Sequence, residues 1–453
     1  MRLSCFLLVL SSIWSANVLA AVTERMSVDS GGVEGDDWSQ CPGVSDDGRF
    51  VVFESLATNL VPGDTNGTFD IFVRDRQTGT TERVSVASDG SEGNATSYSS
   101  NDHGPDISAD GRYVAFYSYA SNLVANDTNG VGDIFVRDRQ AETTVRVSVA
   151  SDGSQGNGYS FEPAISGDGQ FVVFQSFASN LVADDTNGFG DIYVHDRLAG
   201  TTVRVSVASD GSEGNDNSYN GRISSDGQLI AFSSLADNIV GGDSNGYRDV
   251  FLHDRQNGTT VRVSVASDGT EANNWSLFPR ISASGRFVVF SSPASNLVVA
   301  DTNGQYDIFL HDRNAGTTER VSISSDGTQA NWYSYRADVS LSGRFVAFHS
   351  AAANLVDDDT NGYEDIFIHD RDTGVTDRIS VASEGVQSQG RSLFPSISAD
   401  GLFVAFHSAA SNLVENDSNS EWDVFVREPL EAIFMDGFES GDFSGWSAVA
   451  GGG

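Results

Sequence analysis

The chain has 453 residues, of which 39% are hydrophobic, and a formal net charge of −37. All 26 of its basic residues are arginine, so its field repels nucleic-acid phosphates and anionic lipid surfaces and excludes partners of those classes. Cys5 and Cys41 are the two cysteines, too few for a disulfide scaffold, so an apolar core must hold the fold.

Residues 1–20 read as a secretory signal. Arg2 is followed by an apolar stretch over residues 6–10 and 13–14, and Val18-Leu19-Ala20 fits a small-residue cleavage site. No later run is long and apolar enough to span a bilayer. The expectation is an exported protein, periplasmic or extracellular, with Cys41 as its one remaining thiol.

Residues 22–430 are a repeat array. The segment SDDGRFVVF from Ser45 returns as SADGRYVAF from Ser108, a step of 63, and as SGDGQFVVF from Ser166, a step of 58. Copies follow from Ser224, Ser282, Ser340 and Ser398. The extra residues of the first step fall in the loop around residues 94–100. Each unit contains four strand candidates, illustrated by residues 163–166, 171–174, 191–194 and 203–207. The second is continuously apolar and the fourth alternates, so burial should decline outward from the second strand to the last. Four strands at this period predict an all-β chain, a seven-bladed β-propeller with four-stranded blades.

The ends of the array complete the count. The seventh unit stops after its third strand near Arg427, with Glu428-Pro429 in place of Asp-Arg. Residues 23–28, TERMSV, match residues 81–86, TERVSV, and precede the first unit. The N-terminal strand should therefore complete the last blade and close the ring, which removes free sheet edges. Residues 431–453 change character, with a D-G-F-E-S-G segment and a terminal Gly451-Gly452-Gly453. They read as a flexible or truncated tail.

The pairing of S-x-D-G-[RQ]-x-V-A-F with D-I-[FY]-V-x-D-R resembles the TolB-type, WD-like propeller repeats of exported bacterial proteins. The likeness runs over residues 22–430. It implies a propeller fold and, for function, either a binding scaffold or an envelope component with a protein partner. TolB itself carries six blades after an α/β domain; the present repeat count is seven.

Between the second and third strands lies D-x-N-G-x-x-D. Calcium takes six to eight oxygens at about 2.3–2.6 Å, and this spacing offers two carboxylates, an amide oxygen and a glycine turn. The copies include Asp64/Asn66/Asp70, Asp359/Asn361/Asp365 and Asp417/Asn419/Asp423. A further acid two residues earlier occurs only as Asp357 and Glu415, so blade six is the best calcium candidate and blade seven the next, with Ser420 replacing its glycine. The plain alternative is a turn in which Asp and Asn cap the following strand.

In a four-stranded meander, those loops share a face with the S-D-G-S-E-G-N loops, so that face should be acidic. Aromatics lie just before the innermost strands, and Trp38, Tyr159, Trp275, Trp332 and Tyr333 are the candidates for holding a glycan or a peptide. The alternative is packing between blades. Six of the seven histidines, all but His103, share repeat positions with Arg74, Arg137, Tyr117 or Gln175, which points to structure. Asp106, Arg222, Arg280 and Asp338 differ among copies beside the innermost strand. The resulting expectation is a monomeric, non-catalytic binding or scaffold propeller with calcium as its one candidate cofactor. The alternatives are a glycosidase- or lyase-type enzyme and a TolB-like envelope component. A glycan, a peptide or an envelope protein is the expected partner.

Overall fold

The structure is a computed structural model that describes residues 21–98 and 104–428. The expected signal segment, residues 1–20, and the expected C-terminal tail, residues 431–453, lie outside the described residues. The chain forms a seven-bladed β-propeller of antiparallel four-stranded sheets. Blade three is typical: Ser160–Ile165, Phe171–Ser176, Asp191–Asp196 and Thr201–Arg204, paired in sequence order. The innermost strands of consecutive blades touch all round the ring, including blade seven against blade one.

Ring closure follows the expected route. Thr23–Arg25 pairs with Asp423–Arg427 and completes the sheet of Ser392–Ile397 and Val404–Ser408. Met26 then packs with Phe53 and Phe72 of blade one and Val424 of blade seven. The core lies between blades. Val52, Ile71 and Val73 of blade one, for instance, join Val114, Phe116 and Phe135 of blade two.

Burial is highest on the second and third strands. Phe171–Ser176 is buried throughout, whereas Thr201–Arg204 alternates. The fourth strand begins earlier than its alternating pattern suggests and ends at Arg204. Beyond it the Ser206 hydroxyl accepts from the Ile192 backbone N–H at 3.0 Å and donates to Asp191 at 2.6 Å. A side chain thus replaces a rung of the ladder, and the strand terminates.

The histidines at the end of the third strand are explained by the same economy. Thr202 donates its hydroxyl to Val149 of the preceding blade, so the His195 Nδ1 at 2.9 Å from Oγ1 is the donor. Arg74 Nη1 reaches the equivalent Thr81 hydroxyl at 3.0 Å. His and Arg interchange because either supplies that N–H.

Candidate functional site

The D-x-N-G-x-x-D loops bring their acids together around an arginine. In blade one, Arg83 Nη1 lies 3.1 Å from Asp64, 3.2 Å from Asp70 and 3.0 Å from Glu92. Asn66 spends its oxygen on the Thr68 N–H and turns its amide NH2 to Asp70. In blade six, Arg378 sits 3.4 Å from Asp359 and 3.8 Å from Asp365, with the Asn361 NH2 on Asp365. In blade seven, Arg25 of the N-terminal strand lies between Asp417, Asp423 and Glu34, and the Asn419 amide donates to Gly35. Asp357 and Glu415 are exposed and make no hydrogen bond or ion pair among the described residues.

Blade four shows the consequence for a metal. Asp243, Asp249 and Glu271 bring oxygens within 4.8 Å of one another, close enough to share a cation. Arg262 Nη1 lies 3.2, 3.0 and 2.8 Å from these three groups. The guanidinium supplies the positive charge there, and an asparagine that presents NH2 is not a calcium ligand. As folded, a calcium ion at these acids would have to displace the arginine between them. Burial and the neighbouring Asp249 still push the Asp243 carboxyl up to about 6, against the pull of Arg262.

The loops do share a face with the S-D-G-S-E-G-N loops: the Thr65 N–H donates to Glu92 at 3.1 Å. The aromatic candidates stand on that face. Trp38 is 37% exposed, Tyr159 48%, Trp275 39% and Trp332 51%. Trp38 stacks on Trp422 with ring centroids 6.4 Å apart. Tyr333 is half-buried and donates its hydroxyl to Glu364, which also holds Arg391 through two bonds.

The sequence reading picked out Asp106, Arg222, Arg280 and Asp338 of the central channel's wall but missed the ring of residues just above them. Every innermost strand that the structure resolves at full length carries a bulge. At its centre Cys41, Glu162, Asn220, Phe278, Arg336 and Phe394 have φ between 44° and 57°, the left-handed region. Gly104 holds this place in blade two. The signal was available: four residues before the serine of each S-x-D-G turn, the column reads Cys, Gly, Glu, Asn, Phe, Arg, Phe, with hardly a repeated chemistry.

Two residues further on, the wall is Gly43, Asp106, Ala164, Arg222, Arg280, Asp338 and Ser396. Asp106 accepts from the Ile107 and Ile165 N–H groups at 3.0 and 2.8 Å. Asp338 does the same with Val339 and Ile397, both at 3.0 Å. Each therefore staples its blade to the next. Glu162 accepts from the Asn220 backbone and side chain, both at 3.1 Å. Burial pushes Asp106 and Glu162 upward, and burial together with neighbouring Arg280 brings Arg222 down to about 9.

The channel has two compartments. An upper cavity of about 40 Å³, on the aromatic face, is bounded by Asp106, Arg222, Phe278, Arg280, Arg336 and Phe394 among others. A lower cavity of about 130 Å³ adds Asp46 and Asp338. At the upper mouth the Arg336 guanidinium lies 4.2 Å from the Phe278 ring and 4.6 Å from the Phe394 ring.

No protein family matches the chain by sequence profile, and no curated protein matches it. Solved structures do superpose. An oligogalacturonate lyase in complex with manganese matches with a TM-score of 0.53 at 12% identity, over 90% of this chain and 96% of that one. The β-propeller domain of the Trilobed protease from Pyrococcus furiosus gives a TM-score of 0.51 at 11% identity, over 91% and 98%. That domain has an open velcro topology, whereas this ring is closed by Thr23–Arg25. TolB from Acinetobacter baumannii gives 0.40 at 15% identity over 80% and 76%, which assigns no family. At these identities the shared property is the propeller fold.

Proposed function

We propose that the protein is an exported, non-catalytic binding propeller that holds a ligand at the channel mouth, on the face of the exposed tryptophans. The observation that carries this reading is the bulge column. Strands and turns repeat almost letter for letter, yet at this level the blades present different chemistry in a strained backbone. A left-handed conformation costs a non-glycine residue of order 1–2 kcal/mol. Six such residues surround one channel. Flanking aromatic faces suit a glycan or a peptide.

Three of the described channel acids are held in structural roles, which argues against catalysis. A glycosidase or lyase needs a carboxyl or another base within reach of the reacting proton. Asp106 and Asp338 each give both oxygens to backbone N–H groups, and Glu162 is held by Asn220. A lyase name on a structural neighbour at 12% identity brings no activity with it.

Glycan-array and peptide-array binding by the mature chain tests the reading. Trp332→Ala and Phe394→Ala should each weaken the best hit at least tenfold, on the scale of losing one buried aromatic contact. Release of sugar or cleaved product from that hit would sink the non-catalytic assignment.

A further inference from the structure

Asparagine followed by glycine is the dipeptide most open to reaction of a chain with itself. The glycine nitrogen attacks the asparagine Cγ, and a residue without a Cβ leaves that approach clear. Nine such pairs occur within the described residues, six of them in the D-x-N-G loops. The fold ties down eight of the nine asparagine amides at both ends. In blade one, Asn66 Oδ1 accepts from the Thr68 N–H at 2.9 Å, and Nδ2 donates to Asp70 at 2.8 Å and to the Gly93 carbonyl at 3.2 Å. The same three bonds recur in blades two to six. Asn157 bonds Ser179 through both of its amide groups, and buried Asn220 sits between Glu162 and Ser233.

Asn257 is the exception. It lies on the exposed turn between the third and fourth strands of blade four, Asp249–Asp254 and Thr259–Arg262. Its Nδ2 makes one exposed bond to Asp254 at 2.8 Å, and its Oδ1 accepts no hydrogen bond among the described residues. The attacking nitrogen is open as well. Gly79, Gly200, Gly316 and Gly374 hold this place in other blades, and each donates its N–H to the aspartate carbonyl four positions earlier at 2.7–2.8 Å. The Gly258 N–H donates to nothing among the described residues. Asn66-Gly67-Thr68 and Asn257-Gly258-Thr259 are the same three letters, so what separates them is the fold.

We infer that Asn257 is a modification site at which the folded chain deamidates spontaneously, while Asn66 and its counterparts are protected. The Gly258 nitrogen gives its proton to solvent base and bonds to the Asn257 Cγ. The Cγ–Nδ2 bond breaks, Nδ2 takes up a proton and leaves as ammonia, and a succinimide ring remains. Water opens either carbonyl of that ring, giving aspartate or isoaspartate with no change of oxidation state. Aspartate loses the amide donor to Asp254 and places a second carboxylate beside it. Isoaspartate adds a methylene to the backbone of the turn.

Peptide mapping by mass spectrometry tests this on the mature chain held in warm, mildly alkaline buffer, with melting curves to confirm that it stays folded. Cleavage after arginine isolates Asn257 in residues 256–262 and Asn66 in residues 50–74. Asn257 should convert to the acid at least about tenfold faster than Asn66, the order of slowing that releasing hydrogen bonds at both amide ends imposes. Isoaspartate-specific methylation should label residues 256–262, and Asn257→Gln should remove that label. In urea the two N-G-T sites should convert at similar rates. Equal rates in the folded chain, or no conversion at Asn257, overturns the inference. A difference that persists in urea does so too, because it would belong to the sequence around each site and not to the fold.

Discussion

At the scale of single residues, position in the folded loop decides what a carboxylate does. Asp243, Asp249 and Glu271 could share a cation by distance, but Arg262 already stands among them. Millimolar calcium should therefore leave the melting temperature of the chelator-treated protein unchanged. Arg262→Gln should cost about 2–3 kcal/mol, because it strands a partly buried acidic cluster, and calcium should then restore part of the loss. Calorimetric melts with and without calcium check both halves. A calcium-dependent rise in the unmodified protein would show that the arginine yields its place to the metal.

His349 carries a second prediction at this scale. It is buried, its Nδ1 has no partner among the described residues, and burial with neighbouring Arg336 drives its pKa down to about 3. Below the ordinary histidine pKa of about 6.5 the unfolded chain binds the proton and the folded chain does not. Stability is therefore lost as pH falls from about 6.5 towards 3, by about 2 kcal/mol at pH 5 for this one group. His349→Phe keeps the ring contacts with Tyr335 and Phe394 and removes the penalty. Urea denaturation at pH 7.5 and pH 5 should show a smaller acid-side loss in the variant by about that amount. An identical loss in both proteins would mean that His349 takes up its proton in the folded chain as readily as in the unfolded one, and would refute the assignment.

At the scale of elements, the S-x-D-G turn is a contact between blades as well as a hairpin. Gly343 has a φ of +73°, and a Cβ there would meet the Phe287 ring of the preceding blade at 2.2 Å. Gly343→Ala combines a left-handed penalty with overpacking, and should cost about 2–4 kcal/mol in denaturant titration. A loss below 1 kcal/mol would show that Phe287 moves aside freely. Such turns were legible from letters, as were the strand count and the inner-strand burial, because periodicity reports local structure. The fourth strand was misplaced because Ser206 ends it through a bond to Asp191, a partner fifteen positions away. The acid loops were half legible for the same reason. Spacing within Asp64–Asp70 pointed to a cation, and the pairing of the third and fourth strands of the same blade puts the Arg83 guanidinium beside these acids. The channel ring was visible as a variable column, and its meaning needed the bulge that turns the column inward.

At the scale of the molecule, the ring converts a local deletion into a global one. The N-terminal segment gives blade seven its fourth strand, puts Arg25 among Asp417, Asp423 and Glu34, and places Met26 in the core shared with blade one. The Met26 N–H also donates to the Val424 carbonyl at 2.7 Å. Deleting residues 22–30 would expose the edge of the third strand of blade seven and break the apolar contact between first and last blades. In an open array, each unit touches only its neighbours and loss of an end unit leaves the rest intact. In a closed ring, every blade relies on two interfaces, so the cut should lower the melting temperature of the whole domain and broaden the transition. A peptide of residues 22–30 supplied in excess should restore part of the lost stability, because it binds only the folded ring. A truncated protein that melts like the intact one would show that the blade interfaces alone carry the fold and that closure matters only for the exposed edge.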